Sequence, residues 1–142
     1  MDSLSTLLVI SQIPGIGANR LRILVSHFGD PAGVFEAPAR EIASLEGFSR
    51  MLAVQIAHFS GSPHYDEARS FADRQLSRLT KAGARIVTYW DPNYPEPLKR
   101  IYDPPPFLFV RGDYTENDRY AVAIVGTRSP SEYGIAVAEQ FS

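Results

Sequence analysis

A chain of 142 residues with 44% hydrophobic side chains can bury one ordinary core or two small ones, which excludes a disordered polymer. It has no cysteine, which removes disulfides, thiolate metal sites and cysteine nucleophiles and fits a reducing, cytoplasmic setting. A net charge of −2 excludes a protein that coats nucleic acid through bulk charge, so any polyanion site must be local.

In residues 1–62 the pattern is helical throughout. Leu4, Leu7, Leu8 and Ile10 fit one helix ending at Ser11; this apolar run is short and follows Asp2, so it is neither a leader nor a membrane span. Leu21, Leu24, Val25 and Phe28 recur at i, i+3, i+4 and i+7 on a second helix that stops at Gly29. Between them lies Ile13-Pro14-Gly15-Ile16-Gly17, the form of a helix-hairpin-helix, with Arg20 and Arg22 just inside the following helix. Glycines at 15 and 17 let backbone N–H groups turn outward with no Cβ in the way, so Gly15, Gly17, Arg20 and Arg22 are candidates for holding a DNA phosphate. The same glycines would equally make a plain helix-helix turn.

Asp30-Pro31 opens a short turn of helix through Phe35, and Pro38 opens another that includes Ile42 and Leu45. At Leu45-Glu46-Gly47-Phe48-Ser49 the hairpin rhythm returns, with Gly47 in the place of Gly15, and a helix with Met51, Leu52, Ile56 and Phe59 follows. Ser49 replaces the second glycine, so this copy reads as structural.

Residues 63–83 form a connecting amphipathic helix with Ala68, Phe71, Ala72, Leu76 and Leu79 as its buried stripe and Gly83 as its C′ residue. Composition then shifts to β-branched and aromatic residues with prolines between them, so a third segment, 84–142, begins there. Arg85 to Tyr89 reads as a strand, Asp91 to Pro95 as a turn, and Leu98 and Ile101 share one helical face; Phe107 to Val110 is a second strand. Ala121 to Val125 is an unbroken apolar run, the pattern of a strand buried on both faces of a parallel sheet. Gly126 ends it, and Ser129-Pro130-Ser131-Glu132 reads as a capping box with Ser129 as N-cap. Thr127 and Arg128 lie at that helix N-terminus, where open amides and the helix dipole favour an anion, so Gly126, Thr127 and Arg128 outline a phosphate site.

A single glycine in this turn is not the three-glycine dinucleotide fingerprint, so no NAD or FAD and no other cofactor is expected. His27, His58 and His64 have no metal-ligand spacing and no carboxylate arranged with them, and no nucleophile, metalloprotease or P-loop motif occurs. Arg111-Gly112-Asp113 spells an adhesion tripeptide by chance. A buried parallel strand needs neighbours that the visible strands cannot supply, which predicts that the chain is the N-terminal part of a longer protein.

Tyr94-Pro95, Leu98, Ile101, Asp103-Pro104-Pro105, Leu108, Val110, Gly112, the run Ala123 to Arg128, Pro130 and Tyr133-Gly134 resemble, in order and spacing, the opening of the DNA-processing protein A family, DprA/Smf. The resemblance covers residues 83–142 strongly, and the preceding segment looks like that family's SAM-like or helix-hairpin-helix domain. It implies a helical domain followed by the start of an extended Rossmann fold that binds DNA, α and then α/β. It further implies a non-enzymatic, homodimeric single-stranded-DNA-binding protein of natural transformation. Such a protein shields incoming DNA and loads RecA onto it, with Arg128 in the basic DNA pocket. Two other classes compete: a phosphoribohydrolase-like nucleotide-binding hydrolase, and a helical protein-interaction module in residues 1–60.

Overall fold

The computed structural model describes residues 2–141. Its elements run α1 Ser3–Ile10, α2 Ala18–Phe28, α3 Pro31–Glu36, α4 Ala39–Ile42, α5 Arg50–Ala57, α6 Tyr65–Ala82, β1 Ala84–Thr88, α7 Glu96–Lys99, β2 Phe107–Arg111 and α8 Glu132–Phe141. Single 3-10 turns occupy Phe59–Gly61 and Glu116–Tyr120. The protein is α-rich with one small antiparallel sheet.

Helix α1 is apolar on every side at its C-terminal end, so it can only sit in the interior: Leu7, Leu8, Val9 and Ile10 are buried, and the other helices assemble around them. Thr6 is buried too, and its hydroxyl donates to the Asp2 carbonyl at 3.1 Å, so burial leaves no polar atom there unpaired. Helix α6 lays Ala68 and Ala72 against α1; small residues on that stripe allow close approach. Phe35, Phe59 and Tyr65 close one end, with Phe59 and Tyr65 ring centroids 6.1 Å apart at a steep angle.

Local signals end the helices where the sequence places them. Gly29 at φ 74° and Gly83 at φ 59° terminate α2 and α6 in the left-handed region. Asp30 caps α3 by accepting from the Ala32 amide at 3.1 Å, with Pro31 at the first helical position.

Strands β1 and β2 pair antiparallel, with Ala84 opposite Arg111 and Thr88 opposite Phe107. Alternation puts Ile86 and Phe107 on the face that packs against the helical core. Val87, Leu108 and Val110 take the other face and form a second core with Tyr94. The Tyr94 hydroxyl reaches this core's edge and donates to the Pro105 carbonyl at 2.8 Å.

Three local expectations are corrected here. Residues 121–125 form no strand, and Val122 and Val125 are 85% and 89% exposed. A strand exists only where its amides find a partner ladder, and among the described residues no third strand lies beside β1 and β2. The start of the last helix also moves: Ser131, not Ser129, caps α8, its hydroxyl accepting from the Gly134 amide at 3.2 Å. Finally, the helix carrying Leu98 ends at Lys99, leaving Ile101 exposed beyond it.

Candidate nucleic-acid interface

Two sequence-predicted sites lie in different parts of the chain. The first is the hairpin between α1 and α2. Gly15 adopts φ 88°, which a side chain would resist, and the Ile16 amide closes the turn on the Ile13 carbonyl at 3.0 Å. Gly17 is the N-cap of α2 and supplies no capping side chain, so no cap closes the first-turn amides.

Gly47 repeats this geometry. It takes φ 83°, and the Phe48 amide closes the second turn on the Leu45 carbonyl at 3.2 Å. At the same residue offset, the Leu21 amide bonds the Gly17 carbonyl at 3.0 Å and the Ala53 amide bonds the Ser49 carbonyl at 2.9 Å. Buried Ile10, Ile16 and Leu24 likewise match buried Ile42, Phe48 and Ile56. The weak sequence repeat is therefore a duplicated turn and helix. The copies differ at the cap: Ser49 accepts from the Leu52 amide at 3.2 Å, closing in the second copy the edge that Gly17 leaves open in the first.

The hairpin's two arginines point inward. Arg20 donates through Nε to the Gly47 carbonyl at 2.9 Å and through Nη1 to the Gly15 carbonyl at 2.7 Å. Arg22 is only 12% exposed, forms a 2.9 Å ion pair with Asp103, and also donates to the Pro104 carbonyl and, at 3.2 Å, to Asn19. Its guanidinium stands 5.9 Å from the Tyr89 ring centre. Nothing in the local sequence marked Asp103 as its partner, because the two meet only through tertiary packing.

The second site is the turn before α8. Gly126, Thr127 and Arg128 are exposed, and the Thr127 hydroxyl donates to the Ser129 carbonyl at 2.9 Å. Among the described residues, the Arg128 side chain makes no hydrogen bond or ion pair. A groove runs beside it between this segment and α8, lined by Ile124, Thr127, Pro130, Tyr133 and Val137.

Of the histidines, His64 shares a pocket with Gln12 and Pro14 of the first hairpin. One differs from expectation, since His27 Nε2 lies 3.4 Å from the Glu41 carboxylate. Among the described residues no helix is long and apolar enough to cross a membrane.

The chain is thus a duplicated hairpin unit joined to a strand-and-turn unit, with an unpaired arginine ahead of a capped helix. Comparison with known proteins is more specific. Residues 85–142 match the family model of DNA recombination-mediator protein A. Protein Smf of Synechocystis sp. is 29% identical over 128 residues, which is 87% of this chain and 30% of that protein. DNA processing protein DprA of Bacillus subtilis is 37% identical over 70 residues, 49% of this chain and 24% of that protein. UvrABC system protein C of Anaeromyxobacter dehalogenans is 44% identical over 55 residues, 39% of this chain and 8% of that protein. No solved structure gives a significant match. The segment 85–142 and these relatives support a relationship of the chain to the DprA/Smf family. It spans less than a third of the length of the Smf and DprA relatives it matches.

Proposed function

We propose that the chain is part of a single-stranded-DNA-binding protein of the DNA-processing A type. In this reading it protects incoming DNA and loads RecA in transformation and recombination, without catalysing a reaction, as a cytoplasmic homodimer. Residues 1–62 act as a helix-hairpin-helix domain and residues 84–142 open a Rossmann-like DNA-binding domain.

The match of residues 85–142 to the DNA recombination-mediator protein A model supports the DNA-processing role, and the observation that carries the site assignment is the unpaired, exposed Arg128 in the turn before α8. An arginine with no internal partner is available for bidentate contact with a phosphate, and the positive end of the α8 dipole a few residues on favours the same charge. The hairpin's open amide edge at Gly17 is a second point of backbone contact.

The test is Arg128→Ala, with binding to an oligo-dT strand followed by fluorescence anisotropy across a salt series. Affinity should fall, and the slope of log K against log salt should become shallower by about 0.7, one phosphate contact on a single strand. Unchanged affinity and slope would remove Arg128 from the site.

A further inference from the structure

We infer that Arg20 is a positioning residue that holds the two hairpins as one unit, not a direct contact to a bound polyanion. The inference rests on the DNA-binding reading only for its functional consequence. Its structural content stands on the geometry of two turns.

A trans peptide fixes its C=O and N–H antiparallel, so restraining one end of the plane restrains the other. In the first hairpin the Gly15–Ile16 peptide is held at both ends: its carbonyl accepts from Arg20 at 2.7 Å, and its N–H donates to Ile13 at 3.0 Å. The equivalent Gly47–Phe48 peptide in the second hairpin is held the same way, with Arg20 on the carbonyl at 2.9 Å and Leu45 on the N–H at 3.2 Å. One guanidinium thus fixes the turn-closing peptide of both copies. Its planar fork presents Nε and Nη1 to the two carbonyls in fixed directions, whereas the three rotatable donors of an ammonium sit at a single point on a flexible stem.

The duplication is unequal at this point. The residue equivalent to Arg20 in the second copy is Leu52, which has no donor; its Cδ1 packs 3.4 Å from where a Cβ on Gly15 would stand. Gln55 adds a further tie by donating to the Pro14 carbonyl at 3.2 Å. That bond aims the Gly15 N–H, at the far end of the same peptide, away from α5. The carbonyls of the first hairpin are therefore turned onto donors from α2 and α5, and a phosphate approaching the amide edge at Gly15 and Gly17 does not meet them.

The experiment is Arg20→Lys in the 142-residue chain, read by amide hydrogen exchange and by salt-dependent binding to oligo-dT. A positioning role predicts that the Ile16 and Phe48 amides both exchange about tenfold faster. Affinity for oligo-dT then falls while the salt slope stays the same, because charge is kept and no phosphate contact is lost. Faster exchange at Ile16 alone would overturn the joint action. Arg20→Gln removes the charge as well: an unchanged salt slope there supports positioning, and a slope shallower by about 0.7 would overturn it in favour of direct contact. If the unsubstituted chain shows no binding to oligo-dT even at low salt, the DNA-binding reading fails by itself, and the exchange pattern still decides the role of Arg20. Should Arg20→Lys lose its fold, Arg20→Gln, which keeps one amide donor for a single carbonyl, carries both the exchange and the slope readouts.

Discussion

Arg22 on α2 and Asp103 ahead of β2 meet in a 2.9 Å ion pair that joins the helical unit to the strand unit. The guanidinium is mostly buried while the carboxylate is half exposed, so the pair is neither a free surface bridge nor a fully desolvated one. Nearby, Trp90 Nε1 donates to the Ser26 hydroxyl at 3.0 Å, a second tie from α2 to the segment after β1.

Arg22→Ala strands the Pro104 carbonyl and the Asp103 carboxylate without their donor. The expected loss is about 1–2 kcal/mol in urea unfolding. Because Arg22 faces this joint and not the amide edge, the substitution leaves the salt slope of oligo-dT binding unchanged. A shallower slope would show that Arg22 reaches the DNA after all.

The two hairpin glycines should respond differently to alanine. Gly15→Ala forces a Cβ into φ 88° and against the Leu52 side chain at 3.4 Å, costing roughly 1–2 kcal/mol. Gly17 has extended backbone and nothing within 4 Å of an added Cβ, so Gly17→Ala costs less, below about 1 kcal/mol through the weaker N-cap. Thermal unfolding of both variants checks the order.

Tyr94 makes stability depend on alkaline pH. Only 3% of it is exposed, and burial raises its phenol above the ordinary value of about 10, partly offset by the Arg22 charge. A raised folded value means the neutral phenol is the native form. Its contribution is complete below about pH 10 and is lost as pH climbs through the folded value. Tyr94→Phe should therefore flatten the fall in stability above pH 10. At neutral pH it costs about 1 kcal/mol for the lost bond to the Pro105 carbonyl. Urea unfolding at a series of pH values separates the two effects; an unflattened fall would clear Tyr94.

Most helices were legible because their causes are local. The spacing of Leu21, Leu24 and Val25, the Asp30-Pro31 start and the stops at Gly29 and Gly83 each act within a turn or two of chain. The run Ala121 to Val125 failed for the opposite reason: apolar character reports a preference for burial, while strand geometry also requires a hydrogen-bonded neighbour that composition cannot supply. At the start of α8, Ser129 and Ser131 are chemically equal caps, and only the backbone path chose between them. The candidate site divides along the same line. The glycine turns and the exposed turn at Arg128 were visible in sequence. The inward engagement of Arg20 and Arg22 was not, since their acceptors, Gly47 and Asp103, are brought to them by packing.

The unbroken α2 has a mechanical consequence. Its 11 residues make a rod about 16 Å long, with the open amide edge at one end and Arg22 and Ser26 gripping the strand unit farther along. A rod gripped in this way behaves as a lever, so pull on the hairpin is transmitted to β1 and β2 and is not absorbed in a flexible linker.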